Sequence, residues 1–117
     1  MKENVVRNKS FEFAIRIVGL YKYLAEDKKE YVLSKQVLRA GTSVGALVRE
    51  SEHAESTADF IHKLSIALKE ANETDYSLQL LEKSEYINQN EYESLNSDLT
   101  ELLKLLTSII KTTKSKK

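Results

Sequence analysis

"LRAGTSVGALVRE", residues 38–50, holds two of the three glycines of a 117-residue chain, four positions apart with Thr42 and Ser43 between them. Glycine costs a helix interior about 1 kcal/mol relative to alanine, so a helical reading must give the pair a purpose. Three readings compete. A phosphate-cradling loop needs G-x-x-x-x-G-K-[ST] behind a strand, and the stretch has neither the lysine nor a strand pattern before it. A helix-turn-helix motif suits the Ala40–Gly41 cadence better, with a short DNA-reading helix after the turn. That helix would offer bases mainly Val44, Ala46, Leu47 and Val48, and Glu50, Glu52, Glu55 and Asp59 follow it, which phosphates repel. The third reading is one helix in which Gly41 and Gly45 stack one turn apart and let another backbone approach closely. We adopt it, and expect the contact to be shared between the inside of the fold and a neighbouring subunit.

On this reading a helix spans about residues 31–50, with Leu33, Val37, Ala40, Val44 and Leu47 on one face and Leu38, Gly41, Gly45 and Val48 on a flatter one beside it. Upstream, Phe11, Ala14, Ile15, Val18 and Tyr21 recur at helical spacing over about residues 10–25, with Ser10 as the expected N-cap. A second row, Phe13, Ile17, Leu20 and Leu24, runs alongside. Two rows make the apolar arc wider than one core contact requires, which points to a partner surface. The charged stretch Ala25–Glu30 reads as a tight connection.

Downstream, Ser56 with Asp59 gives an S-x-x-D approximation to a capping box that opens a helix over about 57–84, striped by Phe60, Leu64, Ala67, Leu68, Ala71, Leu78 and Leu81. Asn88 with Glu91 opens a fourth over about 89–112, with Leu95, Leu99, Leu102, Leu103, Leu106, Ile109 and Ile110 as its seam. The tail "KTTKSKK" is expected to fray. Four amphipathic helices with short connections close as an antiparallel up-down-up-down four-helix bundle, a single all-α domain over residues 1–117.

Composition agrees. The chain has no proline, 31% charged residues, and 18 basic residues against 18 acidic ones, so no global positive field attracts nucleic acid and any polyanion site must be a local patch. No cysteine means no thiol chemistry and no Cys-based zinc site. The charged N-terminus lacks the apolar run of a signal peptide or membrane span, so a cytoplasmic protein without membrane contact is expected.

Candidates for catalysis are weak. His53 and His62 lie nine apart, not at the i, i+4 spacing of a helical metal pair, and read as surface residues. Glu70 and Glu73 lack the Glu-x-x-His partners of a di-iron carboxylate set and read as structural or exposed. No G-x-S-x-G elbow equips a serine. We therefore expect no enzyme, no metal and no cofactor. In the bundle Tyr21, Tyr23, Tyr31, Tyr86 and Tyr92 gather toward one end together with Glu26, Asp27, Glu30, Glu82, Glu85, Glu91 and Glu93, an acidic setting unsuited to stacking RNA bases. The opposite end collects Arg7, Lys9, Arg49, Lys63, Lys111 and Lys114, with Lys2, Lys116 and Lys117, diluted by Glu50, Glu52, Glu55 and Asp59. These six named first are the candidate nucleic-acid contacts; Phe13, Ile17, Leu38, Gly41, Gly45 and Val48 are the candidate residues of helix packing or a subunit interface.

The segment Gly41–Leu81, "GTSVGALVRESEHAESTADFIHKLSIALKEANETDYSLQLL", with Tyr31, Leu33, Gln36, Arg39 and Ala40 before it and "YINQNEYESL" after it, resembles the four-helix bundle family named for proteins encoded in intervening sequences of 23S ribosomal RNA genes. The resemblance implies an antiparallel bundle that assembles into a ring, commonly a pentamer, with no established enzymatic activity. A related group serves as accessory proteins of diversity-generating retroelements, where a strongly basic pentamer is associated with nucleic acid and a reverse transcriptase; this chain departs from it in being neutral. The functional expectation is a homo-oligomeric ring that binds RNA or other nucleic acid through its basic end, with a protein-protein scaffold as the alternative and a helix-turn-helix DNA binder as the third reading.

Overall fold

The computed structural model describes residues 2–116, with side chains from Asn4 onward; Met1, Lys117 and the Lys2 side chain, two of which were expected at the basic end, lie outside the described residues. Four α-helices make up the described chain: α1 Lys2–Lys22, α2 Leu33–Ser51, α3 Thr57–Lys83 and α4 Gln89–Ser115. Each helix packs on its two neighbours in chain order around the bundle, α2 most extensively and α1 against α4 least, so α1 lies diagonally across from α3. The result is the expected up-down-up-down bundle, 48 Å long and about 20 Å across, at 22 × 19 Å.

The core runs the length of the molecule, through Phe13 and Ile17 of α1, Val37 and Val44 of α2, Leu64, Leu78 and Leu81 of α3, and Leu99, Leu102 and Leu106 of α4. All are aliphatic or aromatic side chains at positions three, four, seven or fourteen apart, the period that puts one face of a helix inward.

α1 corrects two expectations. It begins at Lys2, eight residues before Ser10, so Ser10 is no N-cap: it is buried inside the helix and its hydroxyl donates to the Arg7 carbonyl at 3.1 Å. The cause is Val6, which is buried and continues the inner row upstream past polar Arg7, Asn8 and Lys9. The inner row is also the second of the two, Phe13, Ile17 and Leu24, while Phe11, Ile15 and Val18 face outward.

The helix ends in a π-helical turn, Tyr23–Asp27, closed by the Lys28 amide donating to the Tyr23 carbonyl at 3.2 Å. This wider turn keeps Leu24 in the core while the chain reverses through Lys29, the first of two non-glycine residues with positive φ among the described residues, at 55°. Glu30 then reaches forward and accepts from the amides of Val32, Leu33 and Ser34 at 3.3, 3.0 and 2.7 Å, satisfying donors that the first turn of α2 leaves unpaired. Burial pushes the Glu30 carboxyl up, but those three amides outweigh it and hold the group below its ordinary range.

The other starts follow the sequence signals. Ser56 accepts from the Asp59 amide at 3.0 Å, although Asp59 returns its bond to Glu55 and not to Ser56. Asn88 and Glu91 form a full reciprocal capping box. α4 continues three residues past its expected end, to Ser115, with Ile109 and Ile110 buried beneath its last turns and the Thr113 hydroxyl donating to the Ile109 carbonyl.

Candidate functional site

α2 runs unbroken through Gly41 and Gly45, and the helix-turn-helix reading of this stretch falls with that continuity. A Cβ on Gly41 would stand 2.8 and 2.9 Å from Cγ1 and Cγ2 of Ile17, and one on Gly45 would stand 3.2 Å from the Ser10 carbonyl oxygen. Both distances are too short for comfortable packing, so each glycine is where it is because α1 lies directly on α2. Of the two roles expected for these residues, helix packing is the one a single chain displays: Gly41, Gly45, Phe13, Ile17 and Val48 are all buried within it, and Leu38 is half-buried. They are packing residues of the monomer.

What α1 leaves outside is the row on its opposite face. Phe11, Ile15 and Val18 are 53%, 57% and 37% exposed, and they stand four and three residues apart on one line. The Arg49 guanidinium lies 5.2 Å from the centre of the Phe11 ring and covers one side of it. Gly19 sits beside this row with nothing within 4 Å of a would-be Cβ.

The basic end is largely neutralised by its own acids. Arg7 pairs with Glu52 at 3.1 Å, Lys9 with Glu101 at 3.2 Å and Lys63 with Glu50 at 3.4 Å. Arg49 is engaged with Phe11, and Lys111 and Lys114 lie exposed on the final turns of α4. The six candidates thus do not make one continuous positive field.

At the other end Tyr23, Tyr86, Glu82, Glu85 and Glu91 line a recess of about 360 Å³ with Lys28, whose ammonium lies 5.8 Å from the Tyr23 ring centre. Tyr92 belongs instead to a clasp between α3 and α4. Its hydroxyl donates to Asp75 at 2.9 Å, Asn96 donates to the same carboxylate oxygen at 2.8 Å, and Gln79 donates to the other at 2.9 Å. Burial and the adjacent Asp75 carboxylate push the Tyr92 hydroxyl above its ordinary range.

Glu70 and Glu73 both accept from Arg39, at 3.2 and 3.3 Å, and so tie α2 to α3. His53 and His62 are exposed, on the α2–α3 connection and on α3.

Two features escaped the sequence reading. A cavity of about 510 Å³ opens at the end where the chain termini lie, walled by Val6, Val48, Phe60, Leu64 and Ile109 with Ser51 at its edge. A shallow recess of about 490 Å³ lies along the outer face of α3, between Ser65, Leu68, Lys69, Asn72, Glu73 and Tyr76, with Tyr76 65% exposed. The small residues Ser65 and Asn72 on an otherwise solvated face were its only signal.

Comparison with known proteins agrees with this architecture. The family model described as 23S rRNA-intervening sequence protein matches residues 2–108. A crystal structure of a protein with unknown function from the S23 ribosomal protein family, from Bacteroides thetaiotaomicron, is similar at 64% identity and a TM-score of 0.94, over 95% of this chain and 99% of its own. No curated protein matches.

Proposed function

The chain belongs to the 23S rRNA-intervening sequence protein family, and we propose that it works without catalysis, as a bundle that assembles with copies of itself and presents a composite surface to a protein partner. The observation that carries this reading is the exposed row Phe11, Ile15 and Val18, which the monomer's own core does not use. Isolated exposed apolar residues are ordinary, but three in register on one helix form a contiguous patch of the kind that marks interaction sites.

Nucleic-acid binding through the basic end is the second reading. Lys111 and Lys114 favour it, because a ring of copies facing one way repeats them around one rim. The ion pairs of Arg7, Lys9 and Lys63 weigh against it, since each pairs a carboxylate with a cation that would otherwise meet phosphate.

Native mass spectrometry of the full chain tests the first reading: species at multiples of 13.4 kDa are expected, and a monomer at every concentration overturns it. Fluorescence anisotropy with a labelled structured RNA over a salt series tests the second. Tight binding that falls steeply with salt and is lost on charge reversal of Lys111 and Lys114 would move nucleic acid to the front.

A further inference from the structure

The two ends of the bundle are closed differently. At one, Leu24 of the π-helical turn and Ile87 of the α3–α4 connection fold inward and are buried, the Ile87 amide donating to the Leu81 carbonyl at 3.3 Å. At the other, the connection between α2 and α3 offers Ala54 as its one apolar side chain. A single methyl group is too small to close that end, and it leaves the cavity of about 510 Å³ walled by Val6, Val48, Phe60, Leu64 and Ile109. All four helices contribute to the wall, the arrangement in which bundles build ligand sites from facing helices, and the volume falls within the range of small-molecule pockets.

The polar atoms around the opening are mainly acceptors. The hydroxyl of buried Ser51 donates to the Val48 carbonyl at 2.6 Å, and that of Thr113 donates to the Ile109 carbonyl at 2.7 Å. A hydroxyl has one proton, so with it committed to the helix each of these oxygens has only lone pairs to offer the cavity. Glu52 adds a carboxylate to the same lining; it accepts from Arg7 at 3.1 Å, and a carboxylate has lone pairs for further donors beyond that one. A ligand therefore gains by bringing apolar surface to the wall and a positively charged donor to the mouth. A ligand carboxylate would meet lone pairs and a like charge there. We infer that the cavity binds a small primary amine, its ammonium at the Glu52 mouth and its body, one ring or a short alkyl chain, against Phe60, Leu64 and Ile109. The site is complete within one chain and so stands apart from the self-assembly reading.

The test titrates the full chain at neutral pH with phenethylamine, a cation there, and with hydrocinnamate, an anion of like size. The methyl resonances of Val6, Val48, Leu64 and Ile109 are followed by NMR, which reads single copies and assemblies alike. Phenethylamine should shift these methyls together and saturate with a Kd of about 1 mM or below, the scale for a ligand of so few atoms. Hydrocinnamate should bind about tenfold more weakly or not at all, and Glu52→Gln should weaken the amine about tenfold, as expected for a charge-assisted hydrogen bond, and erase the preference. Ala54→Leu should fill the cavity and abolish amine binding while leaving the thermal unfolding midpoint unchanged or higher. Should that variant fail to fold, Thr113→Leu fills the same space from α4. The proposal is overturned by shifts confined to Phe11, Ile15 and Val18, by the absence of a saturable shift, by equal binding of the acid, or by amine binding that survives a filled cavity. None of these outcomes bears on self-assembly, which native mass spectrometry reads separately.

Discussion

The inner side of α1 meets α2 across Gly41 and Gly45, where Ile17 and the Ser10 carbonyl occupy the space of two absent side chains; on the outer side of α1, Gly19 has nothing within 4 Å and Phe11, Ile15 and Val18 point at solvent. Similar residue types thus stand on both sides of one helix. On one side they are consumed by a close helix crossing, and on the other they are left for something outside the chain. A glycine or an apolar row has no fixed meaning until its neighbours are known, and the contrast can be attacked from either side.

The largest effect is expected from Gly41→Leu. It drives four carbons into a site where even one meets Ile17 at 2.8 Å, and overpacking of that kind should cost about 3 kcal/mol or more in a denaturant titration. Gly45→Ala should cost about 1–2 kcal/mol, because its obstacle is backbone that cannot rotate away. Tolerance of both would mean that α1 and α2 separate easily, and the inner side would lose its distinction.

Tyr92→Phe leaves the glycine seam alone and probes the α3–α4 clasp, where loss of one hydrogen bond to a carboxylate should cost about 1 kcal/mol at neutral pH. The folded Tyr92 holds its proton more tightly than an unfolded tyrosine. Its stabilisation is therefore fully present below the ordinary tyrosine range and is lost as pH rises through the raised folded value, so wild type and variant should converge in alkaline urea titrations.

Gly19→Ala reverses the sign. With open space at its Cβ and helical backbone, the substitution should stabilise the isolated bundle by about 0.5–1 kcal/mol, and a destabilised variant would show that something packs on Gly19 after all. Smallest is Glu30→Gln, expected to cost about 0.5 kcal/mol at the half-buried start of α2. The folded carboxyl sits below its ordinary range, so this stabilisation is present above that range and lost as pH falls through the folded value; the cost should vanish in acid.

The fold was legible because its signals are local and periodic. Leu95, Leu99, Leu102 and Leu106 announce a buried helix face by spacing alone, and Asn88 with Glu91 marks a helix start by a bond within one turn. The start of α1 was not legible in this way. Ser10 has the right chemistry for a cap, and only the burial of Val6 against the rest of the bundle carries the helix past it. The candidate contacts were less legible still: Arg7, Lys9 and Lys63 read as free cations in sequence and find carboxylates 45 and 92 positions away, or across a loop, only when the helices pack.

By itself the sequence determined that this protein is four amphipathic helices with short connections, since hydrophobic period, caps and breaks depend on residues a few positions apart. Tertiary structure alone decided which of α1's two apolar rows is core and which is surface, and that the glycine pair serves α1 of the same chain. Those choices depend on which side of a helix its neighbours cover, and periodicity reports the angle between two rows without saying which one faces inward.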